Sequence, residues 1–257
     1  MTLKSVLLKS ILVTVVVSPL PAQWLRLPQK GIPRTEEGEP NLAAPSPRKP
    51  YGKPDLSGIW VADPPKLRDY SAGLKPEDFP IQPWAQALYN ERKDGAHSGE
   101  EPDANCLPQG VPRIDSTPLP LKIVQDQDEV VILYEAFGQF RQIFLDGREL
   151  PKDPNPTWLG YSVGKWDGDT LVVEVTGFNG KTWLDQVGHP VTDALHVIER
   201  FRRRDFGHLE IEATIDDPKA YTKAFNITQP MRILPDTELL EMVCNENNRD
   251  LEHLNAK

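Results

Sequence analysis

Beyond position 120, apolar and polar residues alternate with the two-residue period of half-buried strands. Lys122–Gln125 and Glu129–Ala136 flank a short polar turn, and Phe140–Leu145 runs into the turn signal Asp146-Gly147. The stretch from Trp158 to Asn179 is the clearest unit: two β-rich runs surround Asp167-Gly168, a pairing that supplies positive φ and closes a tight hairpin. Leu195–Arg204 and His208–Ile215 form another hairpin around Asp205-Phe206-Gly207, with Leu209, Ile211, Ala213 and Ile215 alternating against Glu210, Glu212 and Thr214. Ala224–Leu234 and Glu238–Cys244, around Pro235-Asp236, read as the last pair. With an opening strand in Asp55–Val61, the pattern predicts about nine or ten antiparallel strands, and closure into an up-and-down β-barrel removes their exposed edges.

Upstream the pattern is different. One short helix is expected between Pro76 and Asp94, with Trp84, Leu88, Ala85 and Ala87 as its apolar side against Glu91, Arg92 and Lys93. Residues 95–120, rich in Pro, Gly and Asp, read as a long loop, a length that in a compact protein usually serves function or forms a lid. From Trp24 to Pro54 repeated prolines remove amide donors and fix φ, which predicts an extended, poorly ordered arm. The chain therefore divides into a leader (1–22), a proline-rich arm (23–54) and a single barrel domain (55–257), and 257 residues with 39% hydrophobic content suffice for one substantial core.

The formal charge of −9 argues against a nucleic-acid surface, which needs clustered cations. The run Arg200, Arg202, Arg203 and Arg204 is the local exception and reads as a solvated strand face or hairpin end. In residues 1–22, Lys4 and Lys9 precede the apolar run 11–17, then Pro19, Pro21 and Ala22, which is the layout of a secretory signal. The apolar run is shorter than the roughly 20 residues a spanning helix needs, so a secreted or periplasmic protein without stable membrane insertion is expected. Cys106 and Cys244 would then meet an oxidising compartment, where a bridge between them could contribute on the order of 4–5 kcal/mol; the alternative is two unrelated buried thiols.

Side chains two apart on a strand share a face. In Leu195–Arg204 that sets His196, Ile198, Arg200, Arg202 and Arg204 against Leu195, Val197, Glu199, Phe201 and Arg203, and neither face is cleanly apolar, as in a barrel with a wet or ligand-filled lumen. His196 and Arg200 on one face suit carboxylate binding or carbonyl polarisation; alternatively His196 bridges strands and Arg200 pairs with Glu174, Glu135 or Glu210. In the loop 182–190, Asp185 and His189 suit an oriented acid–base pair beside Trp183; alternatively Asp185 only forms a turn and His189 points to solvent. Gly160-Tyr161-Ser162-Val163-Gly164 matches the spacing of a nucleophile elbow, but a hairpin turn and the strand Leu171–Val175 follow it, so Ser162 is expected mid-strand. No histidine spacing is that of a metal site.

PDLSGIW (54–60), CLPQGVPR (106–113), RQIFLDGR (141–148), WLGYSVGKWDGDTLVVEVTGFN (158–179), LHVIERFRRRD (195–205) and EATIDDPKAYTKAF (212–225) together resemble a group of exported, largely uncharacterised bacterial proteins, and Gly58-x-Trp60 followed by hairpins resembles the lipocalin, or calycin, architecture. The resemblance implies a barrel and export but no established chemistry. The resulting expectation is an exported barrel that binds a small, partly apolar or aromatic molecule, with 95–120 and 178–194 over one mouth, Trp158, Trp183, Arg141 and Glu135 as ligand contacts, and no cofactor. The competing expectation is a cofactor-independent lyase, isomerase or hydrolase using His189, His196, Asp185, Arg200 and Tyr161.

Overall fold

The structure, a computed structural model, describes residues 27–75 and 79–246; the segment read as an export signal and the first residues of the arm lie outside them. Nine strands form a closed barrel in chain order: β1 (Gly58–Ala62), β2 (Leu121–Gln125), β3 (Glu129–Tyr134), β4 (Phe140–Phe144), β5 (Tyr161–Asp167), β6 (Thr170–Thr176), β7 (His196–Arg203), β8 (His208–Asp216) and β9 (Phe225–Ile233). Among the described residues there is one α-helix, α1 (Pro83–Lys93), which packs outside the barrel. This is the mostly antiparallel barrel that the alternation predicts, down to the central hairpin. There the two loop residues are Gly168 and Asp169, one step later than expected, and Gly168 takes φ +57°.

The all-antiparallel expectation fails at one pair. β4 and β5 are parallel, with Ile143 opposite Ser162 and Phe144 opposite Val163 and no further register pairs. The reason is parity: alternating directions cannot close around an odd ring of strands, so one neighbouring pair must be parallel. Residues 145–160 carry the chain back to the same end, and Pro151, Pro154 and Pro156 keep that return from adding a strand. The segment Glu238–Cys244 is likewise no strand, because the edge of β9 is taken by β1 through Trp60–Ile233, Val61–Arg232 and Ala62–Met231.

Inward-facing Trp60, Ile123, Ile132, Ile143, Leu171 and Phe201 are essentially inaccessible, and each such burial contributes about 1.5–3 kcal/mol. One end of the barrel is closed by Arg203, whose guanidinium lies 4.9 Å from the Trp60 ring and donates to the carbonyls of Asp55, Asp205 and Phe206. Residues 109–117 are all buried and plug the other end. The two loops expected over one mouth meet there: the Thr182 hydroxyl donates to the Gln109 carbonyl, and a Cβ on Gly110 (φ +75°) would come within 2.8 Å of Thr182 Cγ2.

Helix α1 buries Ala85 and Tyr89, whereas Trp84, expected on the apolar side, is exposed and donates to the Lys219 carbonyl at 2.7 Å. The arm is extended but not loose. Arg48 pairs with Asp169 at 2.5 Å, Arg34 with Asp236 at 2.6 Å, and the amides of Phe206 and Gly207 donate to the carbonyls of Ala44 and Leu42. Cys106 and Cys244 are disulfide-bonded, tying the chain just before the plug to the C-terminal segment. Among the described residues, no helix is long and apolar enough to cross a membrane.

Candidate functional site

The inner face of β7 carries Glu199, and the inner face of β4 carries Arg141. Arg141 Nη2 is ion-paired with Glu199 Oε2, and its Nε donates to Ser162 Oγ across the β4–β5 seam at 3.0 Å. From the plug, Asp115 accepts the Tyr134 hydroxyl at 2.8 Å and lies 3.9 Å from Arg141 Nη1. All five side chains are buried to within a few per cent of complete. Burial, followed by the neighbouring Glu199 carboxylate, pushes Asp115 up to about 7 against the pull of Arg141. Burial alone would lower Arg141, but Glu199, Tyr134 and Asp115 outweigh it and hold the guanidinium above its ordinary range. Burial and then Asp115 push the Tyr134 phenol well above its usual value. Arg141 Nη1, Asp115 Oδ2 and Glu199 Oε1 have no hydrogen-bond partner among the described residues, so this polar island retains unused donor and acceptor capacity inside an apolar barrel.

Directly outside this cluster the short β4–β5 pairing leaves a cleft of about 390 Å³. Phe140, Phe144, Trp158 and Tyr161 line it, and the buried residues Arg141 and Ser162 meet its floor. Phe140 is 61% exposed, an unusual cost for a phenylalanine on a strand. Phe144 and Tyr161 sit with ring centroids 5.4 Å apart; Arg148 lies 3.8 Å from the Phe144 ring and donates to the Tyr161 hydroxyl at 3.0 Å. The cleft offers aromatic faces, with Arg148 beside two of them and the Arg141 and Ser162 side chains turned inward behind its wall, a setting that suits a small molecule with a flat apolar body.

Asp185 and His189 do meet, with His189 Nδ1 2.6 Å from Asp185 Oδ2. Their surroundings are structural. Asp185 also accepts the amides of Tyr70, Gly188 and His189, so both its oxygens are engaged, and the imidazole is stacked on Tyr89 at 4.0 Å and packed against Phe79 at 4.7 Å. Asp69 brings a third potential ligand atom to within 4.8 Å of these two, but it already accepts the Ser71 amide and hydroxyl through Oδ1. Trp183 is buried beneath Arg92, 4.3 Å from the guanidinium, and forms part of this packing rather than a ligand wall.

The remaining candidates are dispersed. His196 and Arg200 lie on the outer face of β7, with His196 3.9 Å from Glu174 and Arg200 exposed; neither faces the lumen or the seam cleft. Leu195, Val197 and Phe201 share the parity of Glu199 and Arg203 and carry those charges inside with them, which leaves His196 and Arg200 on the outer face. Glu135 accepts the Leu240 amide at 3.2 Å and so anchors the C-terminal segment. Trp158, Tyr161 and Arg141 are brought together in the cleft. Sequence reasoning passed over Phe144, although a large apolar residue on the polar phase of a strand is itself a signal, and over Asp115 and Glu199, which only the folded barrel joins. Ser162 lies within a strand, as the second residue of β5, and is buried, as the hairpin context implies.

No family model matches the chain, and no curated protein does. Among solved structures, the chain is similar to the crystal structure of a mutant of the fluorescent protein UnaG, at 15% identity over 71% of this chain and 97% of that one, with a TM-score of 0.32. A likeness that slight carries no functional argument, and the barrel assignment stands on the strand pairing itself.

Proposed function

We propose that this chain is an exported binding protein for a small, partly apolar molecule with an aromatic or similarly flat body, held in the β4–β5 seam cleft. The observation that carries the reading is the convergence of Phe140, Phe144, Trp158 and Tyr161 on an opening floored by Arg141 and Ser162. The exposed Phe140 ring, with half-buried Phe144, Trp158 and Tyr161 beside it, is costly to leave in water, and a stacking ligand recovers part of that cost. The polar cluster behind them keeps Arg141 fixed, so the cleft is formed in advance of binding. Export is favoured by the layout of residues 1–22 and is compatible with the disulfide. A proton-transfer function draws no support from Asp185 and His189, whose polar and stacking capacity is consumed in holding their loop.

The test is a thermal-stabilisation screen of planar aromatic and terpenoid compounds, followed by titration of hits against Trp158→Ala and Phe140→Ala. A hit that raises the Tm of the native chain is expected to lose about tenfold in affinity in each variant, corresponding to about 1.4 kcal/mol. Hits that bind both variants unchanged, or a screen with no aromatic or terpenoid binder, would overturn the proposal.

A further inference from the structure

Another concavity, of about 600 Å³, lies away from the seam, on the outer face of β1–β3. Ile59, Lys122 and Leu133 are cross-strand partners and stand in one row on that face. Ile59 points away from the lumen yet is only 7% exposed, because the arm and the C-terminal segment cross over the row as a strap. The strap is fastened at Asp236: the Leu27 amide donates to its carbonyl at 2.9 Å, the Gln29 amide to its carboxylate at 3.0 Å, and Arg34 to the same carboxylate at 2.6 Å. Ile32, Leu234 and Leu239 on the strap complete an apolar lining.

The charge on this cleft runs against the balance of the chain. The protein carries −9 overall, yet Lys30 and Lys122 border the cleft and Arg203 closes one end. Neither lysine has a carboxylate within 4.0 Å among the described residues, whereas one lining acid, Asp55, is already paired with Lys49 at 3.3 Å; Glu238 is the remaining lining acid. Arg203 has turned its donors to backbone carbonyls, so it contributes field rather than contact. That leaves two free, flexible ammonium groups above a hydrocarbon floor.

We propose that the strap-covered cleft is a second binding site, for an organic anion with an apolar body: the anionic group between Lys30 and Lys122, the hydrocarbon part along Ile59, Leu133 and Leu239. The volume falls within the range of about 300–1,000 Å³ typical of small-molecule sites. Attraction between the lysines and an anion in a partly desolvated cleft gives specificity over a neutral analogue of the same length. This site is independent of the seam cleft and stands or falls separately.

The experiment is calorimetric titration of the full chain with decanoate below its micellar concentration, with decanol and decyltrimethylammonium as matched neutral and cationic probes. Decanoate is expected to bind at least about tenfold tighter than either control and to weaken as salt rises. Lys30→Gln with Lys122→Gln, both on exposed side chains, should weaken decanoate about tenfold and leave decanol unchanged. Leu239→Glu should weaken both, and Trp158→Ala neither. No decanoate binding, equal affinity for decanoate and decanol, or a loss in Trp158→Ala without a loss in the lysine variant would overturn the assignment.

Discussion

Replacing Asp115 by Asn tests the buried cluster most directly. Asp115 sits at about 7 in the folded barrel, against 3.8 for an ordinary aspartate. Between these values the folded chain holds a proton that the unfolded chain has released. The stabilising contribution of that proton is therefore complete below about pH 4 and is lost as pH rises through 7. The full span of about three pH units, at about 1.4 kcal/mol each, amounts to on the order of 4 kcal/mol, of which about 2–3 kcal/mol falls between pH 5 and 8.5. The groups that set it are Glu199 from β7, Arg141 from β4 and Tyr134 from β3. Asparagine resembles the protonated acid: one end accepts the Tyr134 hydroxyl, and the other donates towards Glu199. Urea unfolding of the disulfide-intact protein, followed by tryptophan fluorescence from pH 5 to 8.5, should show Asp115→Asn more stable by about 1.5 kcal/mol at pH 5, where part of the span is already lost. At pH 8.5 the margin should have grown by a further ~2–3 kcal/mol, to about 4 kcal/mol. The decisive quantity is the difference between the two proteins at each pH. Parallel pH profiles would refute the reasoning, because the cluster would then bind no proton that the unfolded chain lacks.

Removing the Cys106–Cys244 bridge, with both replaced by Ser, should cost on the order of 4–5 kcal/mol in urea unfolding because the bridge spans 138 residues; a loss below about 1 kcal/mol would mean that the plug is held without it. Asp185→Ala should cost roughly 3 kcal/mol or more, since the amides of Tyr70, Gly188 and His189 lose their acceptor in a dry site, and a neutral result would disprove the hub role. His196→Ala and Arg200→Ala should change stability by no more than about 0.5 kcal/mol and leave affinity at the seam unchanged; a tenfold loss of ligand in either would place the site on the wrong wall. In native-state hydrogen exchange, amides along the β4–β5 seam should exchange before those of the β7–β8 ladder, which has eight register pairs against two. Equal protection would mean that the seam is no weaker than the rest of the wall.

The hairpins were legible because each is a local event: alternation on both arms and a glycine able to adopt positive φ between them, as at Gly168. The return between β4 and β5 was not, because Asp146-Gly147 is a true turn but leads into a chain that travels outside the wall before pairing again. β7 misled because both of its faces carry charge. The deciding clue was the company of Glu199 and Arg203, since Leu195, Val197 and Phe201 outnumber Ile198 as apolar members of their faces. Asp115 was beyond reach altogether: a residue in a proline-rich loop becomes a core group only when that loop is pushed into the barrel end, where Tyr134 and Arg141 await it.

The seam joins these observations. A ring of nine strands must contain a parallel pair, and here that pair retains only two register partners. Where the main-chain ladder stops, Arg141 reaches from β4 to Ser162 on β5, replacing backbone bonds with a side-chain link from the inside. That link puts a guanidinium in a dry interior, which requires a counter-charge; Glu199 supplies it, and Asp115 brings a second carboxyl whose proton limits the excess negative charge. On the outside, the aromatic side chains of Phe140, Phe144 and Tyr161 lie beside the opening where that ladder is short. The polar cluster and the aromatic cleft are thus two sides of one topological necessity: where the wall bonds least to itself, a buried ion pair backs it within and aromatic rings flank its opening without.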